Sequence, residues 1–152
     1  MERSSGAQSP RDPGARIPAA GLLAVVVVIL AGALRLWSLN RAPSNPFYDA
    51  AVRSMGLSWH NFIFGAIDPG AAVSIDKPPA DLWLQVASTK LLGFNRLALH
   101  LPEALGGSIA VALLYTAVRA VWGRTAGILA ALSLAVLPIS VLTSRSDTMD
   151  SV

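Results

Sequence analysis

Two long apolar runs constrain this chain more than any other feature. Residues 17–34 pass eighteen positions without a charge, and residues 125–143 pass nineteen. A hydrocarbon core about 30 Å thick takes ~20 helical residues to cross, and inside it a helix is one of the few structures that satisfies its own backbone. Both runs are therefore candidate spans. A third uncharged run, 104–118, has fifteen residues. It reaches spanning length if a helix covers 101–122 with Glu103 and Arg119 at the two interfaces.

Composition agrees with lipid as the main solvent. Of 152 residues, 53% are hydrophobic and 14% charged, where soluble domains carry about a quarter charged residues. Cysteine is absent, which excludes a disulfide framework, a thiolate nucleophile and a cysteine metal site. The ten Arg and two Lys are scattered along the chain, so there is no nucleic-acid footprint and no nucleic-acid partner is expected.

The first run is longer than the ~7–15 residues of a signal-peptide core, and Arg35-Leu36-Trp37 follows it in place of a small-residue cleavage site. It reads as an uncleaved anchor over 17–39, with Trp37 in the aromatic belt and Arg35 extending its head group to the outer interface. Residues 1–16, rich in Ser, Pro, Gly and Arg, read as a disordered tail. Gly123-Arg124 leaves room only for a tight hairpin between helices over 101–122 and 125–143. Pro138 is placed to bend the second of these near its far end, and 144–152 follow. Gly106 and Gly107, inside the second span, permit close helix packing. The hairpin holds Arg119 and Arg124 with no acid, which puts it and the tail in the cytoplasm and the loop 40–99 outside. The expected class is an all-α, multi-pass membrane protein.

The loop has its own pattern. Tyr48, Val52, Met55, Trp59, Phe62 and Ile63 recur at helical spacing. They predict one interfacial helix over 47–63 with Trp59 and Phe62 toward lipid. After the turn Asp68-Pro69-Gly70, Pro78 and Pro79 open a second helix that Gly93 stops, with Leu82, Trp83 and Val86 on one face.

Four features could carry chemistry, and each has a plainer reading. Asp76-Lys77-Pro78-Pro79 holds an acid and an ammonium at a helix entrance, a fitting place for a phosphate; the alternative is a Pro-Pro turn with a solvated ion pair. Asp49 and Arg53 stand at i and i+4, which is usually only helix support. Arg145-Ser146-Asp147-Thr148-Met149-Asp150 lies at the outer end of the third span, as either a site or a solvated helix end. His60 and His100 lack further ligands at metal spacing and read as ordinary interfacial histidines.

The order of these parts resembles a known family. The stretch NPFYDAAVRSMGLSWHNFIFGAIDPGAAVSIDKPPADLWLQ, with RSDTMDS after the third span, is similar to the start of glycosyltransferase family 39. That family includes protein O-mannosyltransferases and the aminoarabinose transferase that modifies lipid A. The likeness covers about residues 34–152 and is nearest to a bacterial, mannosyltransferase-like branch. It implies a GT-C fold with interfacial helices in the first external loop, and a polyprenyl-phosphate sugar as donor. It also implies a protein or glycan acceptor and membrane lipid as a partner. By resemblance, Lys77 contacts the lipid phosphate and Asp150 matches a second site carboxylate. Many members carry an Asp-Glu pair early in the loop whose Asp is the base. Ser44-Asn45 stands there in this chain, which leaves Asp49 and Asp76 as the nearest replacements.

The implied chemistry is removal of a proton from an acceptor hydroxyl, attack on the anomeric carbon with inversion, and departure of a lipid phosphate. Lys77, with Arg53 and Arg145, would stabilise the leaving charge. No cofactor beyond the lipid-linked donor is required; a divalent metal is compatible with this chemistry, and no residue demands one. Family members continue for several hundred residues, so the resemblance implies an N-terminal part or truncated reading frame that is inactive alone. The alternative is a non-catalytic three-helix membrane subunit.

Overall fold

The computed structural model describes residues 19–146. Helix α1 is Ala19–Leu36, followed by a 3-10 turn at Leu39–Arg41. Then come α2 Pro46–Met55, α3 Trp59–Phe64, α4 Ala80–Leu92, α5 Arg96–Val136 and α6 Pro138–Thr143. Among the described residues there is no strand, only an isolated antiparallel bridge between Ala66 and Ser74. The protein is an all-α membrane protein. Two helical stretches, Gly21–Arg41 and Arg96–Val136, are long and apolar enough to cross a bilayer.

The second of these is not one straight rod. Gly123 takes φ 86 and ψ 178, a break that only glycine accommodates easily. Beyond it the chain folds back on the first arm: a Cβ on Gly127 would stand 3.0 Å from the Arg119 Cβ and from the Tyr115 carbonyl oxygen. Ala24, Val27 and Ala31 of α1 form one core with Val111 and Tyr115 of the first arm and Ala131 and Ala135 of the second. These small contact residues let three helical segments approach closely. Leu22, Val25, Val26 and Ile29 point outward, the face that lipid would cover.

Arg35 departs from the sequence reading. It does not extend to the interface; it is 0% exposed. Its Nη2 donates to the Leu134 carbonyl oxygen (3.2 Å) and to Ser140 Oγ (2.8 Å). Nη1 donates to the carbonyl oxygens of Ala31 and Ala135, each at 3.3 Å, and Nε to Ser144 Oγ at 3.4 Å. The cause lies a hundred residues away. Pro138 has no N–H, so the Leu134 carbonyl loses its i+4 donor where α5 stops. The guanidinium takes that place. Gly107 makes room, since a Cβ there would stand 2.9 Å from Arg35 Nε and 2.8 Å from the Ser144 Cβ. Gly106, by contrast, has nothing near it.

The loop folds as a small module on the N-terminal part of α5. Asn45 caps α2 by accepting from Phe47 N–H at 3.1 Å, with Pro46 at the first helical position. The single helix expected over 47–63 is two helices. The chain leaves α2 at Gly56, and Ser58 caps α3 by accepting from Asn61 N–H at 3.1 Å. The apolar face also has a different partner from the one expected. Tyr48, Val52 and Met55 pack with Ile75, Leu82, Val86 and Leu99 into a buried core, and Phe62 lies against it. Phe62 stacks on Trp83 at 5.6 Å, and Trp83 Nε1 donates to the Phe62 carbonyl oxygen at 2.7 Å. Trp59 and Ile63 keep outward places, 78% and 54% exposed.

Candidate functional site

The segment before α4 is held from several sides. Ile75 is buried in the module core, and its N–H donates to the Gly65 carbonyl oxygen at 2.8 Å. Pro79 caps α4. Between them Asp76 is exposed and Lys77 half-buried. Gly65 is the keystone of this seat. It has φ +61, and a Cβ on it would lie 2.7 Å from Ile75 Cγ2 and 3.1 Å from Pro79 Cβ. The turn that leads there is tied as well. Asp68 accepts from Ala72 N–H (3.2 Å) and Val73 N–H (2.9 Å), and those bonds hold its carboxyl below the usual carboxylate range. Buried Asn61 donates to Ser54 and to the Pro69 carbonyl oxygen, joining α2 to the turn.

Asp49 is half-buried in the first turn of α2, and Tyr48 beside it shares the core with Ile75. Arg53 goes elsewhere. Its guanidinium lies over the Phe94 ring at 3.9 Å. Next to it Lys90 Nζ donates to the Gly56 carbonyl oxygen at 2.6 Å. Ten residues of helix, about 15 Å, separate Lys90 from the start of α4, so the fold sets Arg53 at the opposite end of α4 from Lys77. It does not bring those two together as the sequence reading expected. Arg53, Lys90 and Phe94 instead line a separate cleft of about 600 Å³ with Leu57 and Ile67. Arg145 follows α6, and its Nη2 donates to the Trp37 carbonyl oxygen at 2.8 Å, just past the C-terminal end of α1. Asp150 lies outside the described residues.

One group of polar residues was missed at the sequence level. Asp81, Gln85 and Ser88 fall at i, i+4 and i+7 on α4, on the side toward α5. Gln85 Nε2 donates to Glu103 Oε1, so Glu103 sits buried in the seam between α4 and α5. His100, one turn earlier, is also fully buried. Asp81 is 8% exposed, and neither of its carboxylate oxygens has a hydrogen-bond partner among the described residues. Burial pushes its carboxyl above the ordinary value. The signal was available: three polar residues at helical spacing beside Leu82 and Val86 mark a second buried face. His60 is exposed and packs obliquely on Phe64. Among the described residues no three His, Asp or Glu side chains converge.

These features define the class as a membrane protein whose helical loop module holds a lysine-bearing Pro-Pro turn. Residues 76–152 match the family described as dolichyl-phosphate-mannose-protein mannosyltransferase. Two Bacillus subtilis (strain 168) proteins are similar over most of the chain. "Putative mannosyltransferase YycA" is 38% identical over 132 residues, covering 84% of this chain and 19% of that protein. "Putative mannosyltransferase YkcB" is 32% identical over 131 residues, covering 85% and 18%. The chain thus belongs to this mannosyltransferase-like glycosyltransferase family, and it spans about a fifth of the length of these curated relatives. No solved structure matches it.

Proposed function

We propose that the chain is the N-terminal framework of an integral-membrane glycosyltransferase that moves a mannose-like hexose from a polyprenyl phosphate to a hydroxyl acceptor. In this reading three segments cross a bacterial cell membrane. They lie near residues 17–39, 101–122 and 125–143, with the N-terminus cytoplasmic and the loop module outside. The single observation that carries the reading is the seat of Lys77. It lies between core-anchored Ile75 and the Pro79 cap of α4, so the backbone that carries the ammonium is fixed at the N-terminal end of α4.

The chemistry follows from charge. A carboxylate, Asp49 or Asp76, takes the acceptor's hydroxyl proton. The hydroxyl oxygen bonds to the anomeric carbon as the bond from that carbon to the phosphate oxygen breaks, and the electron pair leaves on the lipid phosphate. Lys77 meets that growing charge, which lowers the barrier more than it aids ground-state binding. Arg145 joins it on the donor side, and by resemblance Asp150 is a second site carboxylate. With Arg53 at the far end of α4, the leaving phosphate is assigned to Lys77 and Arg145. Donor affinity and turnover measured for Lys77→Ala, Asp49→Asn and Asp76→Asn in the complete gene product test this. A Lys77→Ala variant with near-normal turnover would reduce the motif to a plain Pro-Pro turn.

A further inference from the structure

We propose that Arg35 is a positioning residue, a clasp that fixes α6 and the Arg145 that follows it against the outer end of α1. A fully buried guanidinium in a spanning bundle is costly unless its donors are satisfied and its charge is met. Here the five contacts are to three carbonyl oxygens and two hydroxyls. The carbonyls belong to the C-terminal turns of α1 and α5, where aligned peptide dipoles place partial negative charge. The planar fork reaches Leu134 and Ala135 on one side and Ser140 and Ser144 on the other. It therefore spans the Pro138 break and sets the angle at which α6 leaves α5. Two residues after α6, Arg145 closes a second tie from this segment back to α1 through the Trp37 carbonyl. Lysine has one compact head and cannot reproduce the fork.

The chain has no cysteine, so spin labels can be introduced without altering other positions. Label pair 36/142 reads α6 against α1, and pair 25/129 reads the bundle below it; all four positions are exposed. In lipid nanodiscs, Arg35→Ala should shift or broaden the 36/142 distance on the order of 5 Å, one helical turn, while 25/129 stays as in the wild type. Arg35→Lys should fall between the two. Pro138→Ala, which returns an N–H to the Leu134 carbonyl and straightens the break, should also move 36/142 with Arg35 intact. The proposal is overturned if Arg35→Ala leaves 36/142 unmoved, whatever Pro138→Ala does, or if both label pairs shift alike.

The consequence for phosphate binding rests on the transferase reading, and a separate arm tests it. In the complete gene product, Arg35→Ala and Arg145→Ala should lower kcat/KM non-additively, because one acts through the other; additive losses would break the link. A wild-type protein without transferase activity would defeat the functional reading and leave the distance result standing.

Discussion

Gly65→Ala places a methyl group where the seat of Lys77 has no space. Two costs add. An L-residue at φ +61 costs about 1–2 kcal/mol over glycine. The new Cβ would stand 2.7 Å from Ile75 Cγ2 and 3.1 Å from Pro79 Cβ, and forcing neighbours apart in a packed site costs about 1–3 kcal/mol. The sum is about 2–5 kcal/mol. Because Ile75 N–H is bonded to the Gly65 carbonyl oxygen, the loss should fall on that amide and on the segment up to Pro79. Hydrogen exchange read by mass spectrometry on a peptide over 66–79 should speed by about 30- to 5,000-fold in the variant. Gly106→Ala is the control, since nothing lies within 4 Å of its added Cβ; it should exchange as the wild type does. Wild-type protection in Gly65→Ala would refute the claim that this glycine holds the turn.

Leu82, 0% exposed in the module core, should cost about 2–5 kcal/mol on truncation to Ala, read as a fall in unfolding midpoint in detergent. Asp81 has a folded-state pKa raised by burial, so the folded protein holds a proton that the unfolded chain releases from about pH 3.9 upward. Stability should therefore fall as pH rises from that point through the folded pKa, then level off. Asp81→Asn should remove that slope, and an unchanged slope would contradict the burial. Single cysteines at 70 and 123 test the topology: an impermeant reagent on intact cells should label the first and not the second, and the opposite pattern would invert the chain.

Local signals in this sequence were readable and partner choice was not. The turn at Asp68-Pro69-Gly70, the Pro-Pro entry to α4 and its stop at Gly93 follow from residue chemistry within a few positions. The spacing of Tyr48, Val52 and Met55 marked an apolar face, but periodicity does not say what covers a face. The cover is α4 and Leu99, not lipid. The same spacing ran on through Trp59 and Phe62 and concealed the break at Gly56. Arg35 lay beyond reach for a different reason: all but one of its acceptors lie about a hundred residues later, around the Pro138 break. Arg53 matched a phosphate role by charge alone, and the way α2 lies along α4 carries it to Phe94.

Transfer from a polyprenyl-phosphate mannose by the complete gene product, compared between wild type and Lys77→Ala at saturating donor, tests the functional reading most directly. Loss of one charge-stabilising contact in a dry site costs ~2.7–4 kcal/mol. Turnover should therefore fall about 100- to 1,000-fold while donor affinity changes far less. Equal turnover in the two proteins, or a wild type that transfers no sugar from this donor, would contradict it.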